Sequence, residues 1–128
     1  MPTIAITGSN RGIGLELCRQ FLARGDDVIG ICRKTTDAMT ALGVEAITGI
    51  DVSDDSCVAT LRNALGNRQI DVLINNAGIM GREELPELDW EGIRRQFEIN
   101  SLGPLRVTAA LLDNLNRDAK IAIVTSRM

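Results

Sequence analysis

Residues 7–14 read Thr-Gly-Ser-Asn-Arg-Gly-Ile-Gly, which sets glycines at positions 8, 12 and 14. Such a spacing allows a tight turn and lets a diphosphate come against bare backbone. A helix opening straight after the turn offers unpaired N–H groups and the positive end of its dipole to phosphate oxygens. The order is G-x-x-x-G-x-G rather than the G-x-G-x-x-G of the dinucleotide fingerprint, so the flanking strand and helix carry the assignment. A plain turn is the alternative. At the other end, the apolar run Ile121–Val124 rises to Thr125 and Ser126, where a hydroxyl would reach the end of a buried strand. Proton-transfer groups are scarce. There is no His and no Tyr, and the only lysines are Lys34 and Lys120, although acid–base catalysis near neutral pH usually draws on these types.

The elements that would position these residues follow from hydrophobic periodicity. Thr3–Thr7 reads as a strand, followed after the glycine turn by a helix with Ile13, Leu17, Phe21 and Leu22 at helical spacing and Gly25 at its end. Val28–Cys32 is the second strand. A short helix near 36–42 precedes a third strand over 45–50. Ser53 is the expected N-cap of the next helix, with acids in its first turn. Ile70–Asn75 is the fourth strand, 88–115 a helical stretch loosened at Gly103-Pro104, and 120–125 the last strand. Short apolar strands alternating with helices predict a doubly wound parallel α/β sheet with strand order 3-2-1-4-5, forming one domain over 1–128.

Composition excludes several functions. The net charge is −3 and the aromatics are Phe21, Trp90 and Phe97 alone, which argues against a nucleic-acid surface. No apolar run approaches the ~18 residues of a membrane span. Met1-Pro2-Thr3 leads straight into a strand, so no cleaved secretory signal is expected. Cys18, Cys32 and Cys57 are odd in number and widely spaced, which predicts free thiols in the cytoplasm rather than disulfides or a metal site.

Asp51-Val52 after the third strand, Asn75-Asn76-Ala77-Gly78 after the fourth, and Asn100 within "FEINSLGPL" join the glycine turn. As a set they resemble the short-chain dehydrogenase/reductase family in its Thr-Gly-x-x-x-Gly-x-Gly branch. "ITGSNRGIGLEL" and "IVTSRM" are most similar to small carbonyl-reductase and C-factor-like members. The resemblance implies a Rossmann-like fold and a nicotinamide cofactor. Gly8, Gly12 and Gly14 would shape the cradle, with Ser9, Asn10 and Ile13 along the adenosine phosphates. Asp51 would accept from the adenine amine, with the Val52 backbone beside the ring. Asn76, Ala77 and Gly78 would floor the site. For Asp51 the alternative is a turn before a helix, and for Asn76–Gly78 a strand-end turn.

Charge bears on the cofactor. An acid about 20 residues past the glycines would hold the NAD ribose, whereas Arg there suits a 2′-phosphate. The second strand ends Cys32-Arg33-Lys34 with no acid, and Arg11 comes from the neighbouring loop, so NADP is expected over NAD. Ordinary solvated surface charge is the alternative.

By the same resemblance Ser126 would be the catalytic serine and Asn100 the active-site asparagine. A strand-end hydroxyl and an exposed helical Asn are the structural alternatives. The family's Tyr and the Lys four residues after it are missing. We therefore expect 1–128 to be the amino-terminal part of a longer chain, cut after strand five, whose uncovered edge would otherwise be flat and apolar. The expected function is an NADP-dependent oxidoreductase on a carbonyl or alcohol substrate, homo-oligomeric in its complete form. The alternative is a non-catalytic dinucleotide-binding or signalling module.

Overall fold

The computed structural model describes residues 1–126, so Arg127 and Met128 of the closing motif lie outside the described residues. Strands β1 (Thr3–Thr7), β2 (Asp27–Ile31), β3 (Glu45–Ile47), β4 (Ile70–Asn75) and β5 (Leu115–Ile123) form one parallel sheet in the order β3-β2-β1-β4-β5. Helices α1 (Gly12–Ala23), α2 (Asp37–Leu42), α3 (Cys57–Leu65), α4 (Trp90–Phe97) and α5 (Gly103–Leu111) make the connections. The predicted doubly wound topology is the one found.

The two sides of the sheet explain why the central strands β1, β2 and β4 are mostly apolar. Ala5, Ile29, Ile31 and Leu73 pack against Leu61, Leu65, Val107 and Leu111 from α3 and α5. Ile4, Ile6, Val28 and Ile74 face the other way, onto Cys18, Met39 and the α1 side chains Leu17 and Phe21. Successive residues of β1 thus enter opposite cores, and neither face of its centre tolerates a polar side chain.

Three boundaries differ from the sequence expectation by three residues or more. Ser53 is not a helix cap. Asp51 Oδ1 accepts from the Ser53 N–H (3.0 Å) and hydroxyl (2.6 Å), Asp54 Oδ1 accepts from the Ser56 N–H (2.9 Å), and α3 begins only at Cys57. These aspartates bond the backbone two residues on and hold 51–56 in turns, in competition with helix. The third strand stops at Ile47, after which Gly49 turns at φ +75° and Ile50 N–H returns to the Cys32 carbonyl at 3.2 Å. The last strand begins at Leu115 rather than Lys120. Leu115 pairs with Ile70 and Lys120 with Val72, so extra residues of β5 bulge outward against β4. Those residues, Asn116–Ala119, are mostly polar, which hides the strand's start.

The stretch predicted over 88–115 is helical but subdivided. Asp89 accepts from the Gly92 N–H at 3.0 Å and caps α4. A π-helical turn, Glu98–Leu102, joins α4 to α5, and a 3₁₀ turn closes at Asn114. Ile121 and Ile123 of the outer strand β5, and Val124 just after it, are 46%, 59% and 41% exposed. Among the described residues no helix is long and apolar enough to cross a membrane.

Candidate dinucleotide-binding site

The glycine turn sits where β1 gives way to α1, and its shape is fixed from three sides. Thr7, buried at the end of β1, accepts through Oγ1 from the N–H groups of Asn76 (2.9 Å) and Ala77 (3.0 Å). Asn76 Nδ2 returns bonds to the carbonyls of Thr7 (3.2 Å) and Gly8 (3.3 Å). The 76–78 loop is therefore locked to the glycine turn across the β1–β4 pair. On the β2 side the Ser9 hydroxyl donates to the Ile31 carbonyl (3.2 Å), Asn10 Nδ2 to the Lys34 carbonyl (2.9 Å), and the Thr36 hydroxyl to the Asn10 carbonyl (2.7 Å). These bonds tie the turn to the chain that follows β2.

Between the turn, the ends of β2 and β3, and α4 lies a cavity of about 350 Å³, within the range of small-ligand sites. It contains nine of the residues singled out from sequence: Gly8, Arg11, Gly12, Ile13, Arg33, Asp51, Asn76, Ala77 and Gly78, with Val52 as a tenth. Helix α1 opens onto this region with no side-chain cap and no acid in its first turn, leaving its amino end available to an anion. A Cβ on Gly14 would stand 2.1 Å from the Gly8 carbonyl oxygen, so the helix presses on the turn as closely as a glycine allows. Gly12 has φ +55° and no atom within 4 Å of a would-be Cβ, which leaves open space on its cavity side. A close-packed cradle beside free helix N–H groups and arginines fits a dinucleotide's phosphates.

The remaining assignments fall outside the cavity wall. Ser9 is fully buried and Asn10 is tied to Lys34, and both hold the shape of the turn. Gly14 acts through packing. Asn100, in the π turn, accepts from the Ile79 N–H (2.9 Å) and donates to the Ile79 carbonyl (2.6 Å), which places it against Gly78. Ser126 is exposed, two residues beyond Val124, whose N–H donates to the Asn75 carbonyl at 2.9 Å and which does line the cavity. Lys120 lies at the opposite end of the strands, in a shallow groove with Met1, Pro2 and Asp71.

Sequence reasoning missed Ile31, Cys32, Ile50, Ile79, Arg95, Ile99 and Val124 as lining residues. Most are strand-end apolar residues whose periodicity announces only a core. Arg95 follows Arg94 on the polar helix α4 and carries no signal of its direction. Asp51 is held below the usual carboxylate range, first by the Ser53 hydroxyl, then by the Ser53 N–H and more weakly by Arg33 and Arg95, against the opposing effect of burial. Cys32 is a neutral thiol, pushed up by burial.

An open parallel sheet that reverses its order between β1 and β4, with its cavity outside the carboxyl ends of the strands, defines the doubly wound class of α/β folds, whose ligands sit at such a switch point. Within that class, the model of the short chain dehydrogenase family matches residues 2–128, and this chain belongs to that family. It is 38% identical over 130 residues to 1-hydroxy-2-glutathionyl-2-methyl-3-butene dehydrogenase of Rhodococcus sp. (strain AD45), covering 100% of this chain and 58% of that protein. It is 52% identical over 62 residues to the C-signal protein of Myxococcus xanthus, covering 46% and 37%. The structure of a carbonyl reductase from Pseudomonas aeruginosa PAO1 in complex with NADP superimposes with a TM-score of 0.90 at 34% identity, covering 98% of this chain and 61% of that one. The chain thus spans about three-fifths of the length of the Rhodococcus and Pseudomonas proteins.

Proposed function

We propose that this chain is the cofactor-binding part of an NADP-dependent oxidoreductase that interconverts a carbonyl compound and an alcohol. One observation carries the reading: a cavity that opens on an uncapped helix N-terminus and is flanked by Arg11 and Arg33, with no acid at the end of β2. The amino end of α1 would take the diphosphate, and the two arginines the 2′-phosphate. Asp51 would accept from the adenine amine through Oδ2, because Oδ1 already serves Ser53. Asn76–Gly78 would support the nicotinamide-side ribose.

When bound, the nicotinamide ring supplies or accepts the hydride, and the protein's part is placement. Ser126 would hydrogen-bond the substrate oxygen. Asn100 would fix the Ile79 backbone beside Gly78 at that end of the cavity. These 128 residues contain no tyrosine to give a proton, so by themselves they should not turn over a carbonyl substrate. The buried free cysteines favour a reducing, cytoplasmic setting. Exposed Phe97, Leu105 and Leu112 along α4–α5 favour a homo-oligomer.

The test is a change of cofactor preference. Arg33→Asp removes one charge-assisted contact and sets an acid against the 2′-phosphate, which should weaken NADP by at least ~2 kcal/mol, about thirtyfold, while NAD is held or improved. Arg11→Ala should cost less, since it adds no repulsion. Both losses should shrink as salt rises. An unchanged ratio of NADP to NAD affinity in Arg33→Asp would remove the assignment.

A further inference from the structure

Arg95 stands on the wall of the cavity formed by α4, with Asp51, Val52 and Ile99 as its companions there. It also borders the groove beside it, with Asp89 and Glu91. Its neighbour Arg94 pairs with Glu91 at 3.7 Å. Among the described residues, by contrast, no carboxylate oxygen comes within 4.0 Å of an Arg95 nitrogen. An exposed arginine with no ion-pair partner, beside a cavity whose adjoining surface is Ile50, Val52 and Ile99, has an unused planar cation next to an apolar slot. Asp51 supplies the slot's acceptor, and its hydrogen bonds to Ser53 leave Oδ2 free.

Two ligand chemistries could use such a cation: a phosphate or an aromatic face. A phosphate set between Arg95 and Asp51 would meet the carboxylate as well as the guanidinium, and Arg11 and Arg33 already flank the glycine turn. A purine has no such conflict. Its amine can donate to Asp51, one face can lie against the chain at Ile50–Val52 and Ile99 that lines the cavity there, and a guanidinium plane can cover the other.

We propose that Arg95 contacts adenine, closing over the purine from the α4 side while Asp51 reads its amine. This rests on the reading that the cavity takes the adenosine half of NADP, and it adds a base-directed residue to the phosphate-directed pair. Two ligands separate the roles: ADP-ribose and 2′-phospho-ADP-ribose share the adenine and differ only in the 2′-phosphate.

Calorimetric titration of the protein with each ligand is the experiment. Arg95→Ala should weaken both by the same factor, about fivefold to tenfold. That factor should persist at 0.5 M salt, because a stacked contact is screened less than an exposed phosphate contact. Arg33→Ala should weaken 2′-phospho-ADP-ribose alone. The Arg95 side chain is exposed, so the variant should melt with the parent protein. Arg95→Ala without effect on ADP-ribose, or with a loss confined to the 2′-phosphorylated ligand, would overturn the proposal. Equal binding of the two ligands by the parent protein would sink the NADP reading instead, and an equal Arg95→Ala loss on both would still support the adenine contact.

Discussion

Gly14→Ala is the perturbation whose cost the geometry sets most sharply. The added carbon would stand 2.1 Å from the Gly8 oxygen, 2.6 Å from Asn76 Nδ2 and 2.7 Å from the Gly8 carbonyl carbon. Carbon and oxygen rest at about 3.3 Å, so the helix and the turn must separate by about 1.2 Å. Forcing a methyl into a packed contact costs about 1–3 kcal/mol. Moving the Gly8 carbonyl also strains the two Asn76 bonds, worth about 1 kcal/mol each. The total of about 3–5 kcal/mol is a large share of a domain's stability and should lower the melting temperature by roughly 10–20 °C. Gly12→Ala is the control. Its Cβ meets nothing within 4 Å, so only the left-handed backbone resists, at about 1–2 kcal/mol. Gly12 lines the cavity, however, and its new methyl should impair NADPH binding more than stability. Melting by circular dichroism and NADPH titration, run on both variants, separate the effects. A Gly14→Ala protein melting within ~3 °C of the parent would refute the close-contact argument.

Two further outcomes follow from the supporting structure. Arg106, with 12% of its side chain exposed, donates to the carbonyls of Val52 (2.9 Å) and Glu98 (3.0 Å) and pairs with Asp55 (2.8 Å) and Glu98. Because both acids are solvated, Arg106→Ala should cost about 2 kcal/mol rather than the larger loss of a buried pair, and should weaken cofactor binding through the released Val52 turn; urea unfolding and NADPH titration measure the two. The thiols should be inert in the native state at pH 8, since burial, followed by the neighbouring Cys32, pushes Cys18 up to about 11, and burial raises Cys32 and Cys57. With an ordinary thiol value of 9.0, unfolded chains lose these protons before native ones do, so stability should be flat up to pH 9 and fall as pH climbs towards 11. Urea midpoints at pH 8 and 10, with thiol-labelling rates, check this.

What the sequence disclosed was the part built from local rules. The glycine turn, β1, β4 and the strand order followed from apolar runs separated by helical spacing, because the central strands of a doubly wound sheet are buried on both faces. The signal failed where side chains redirect the backbone. Asp51 and Asp54 spend their carboxylates on nearby N–H groups, so Ser53 looked like a cap and is a turn residue. The outward bulge of 116–119 made β5 look shorter than it is. The site was legible in its turn and strand-end residues, whose direction is fixed by chain path. It was not legible for Arg95, whose direction depends on where α4 lies relative to Asp51 and Val52.

On the proposed reading, the cavity beside the glycine turn takes a dinucleotide and selects it by its 2′-phosphate. The most direct test is the pair of dissociation constants for NADPH and NADH, measured calorimetrically on the unmodified protein at low salt. One site per chain and NADPH at least about thirtyfold tighter are expected, with the difference narrowing as salt is raised. Equal affinities, or no binding of either, would contradict it.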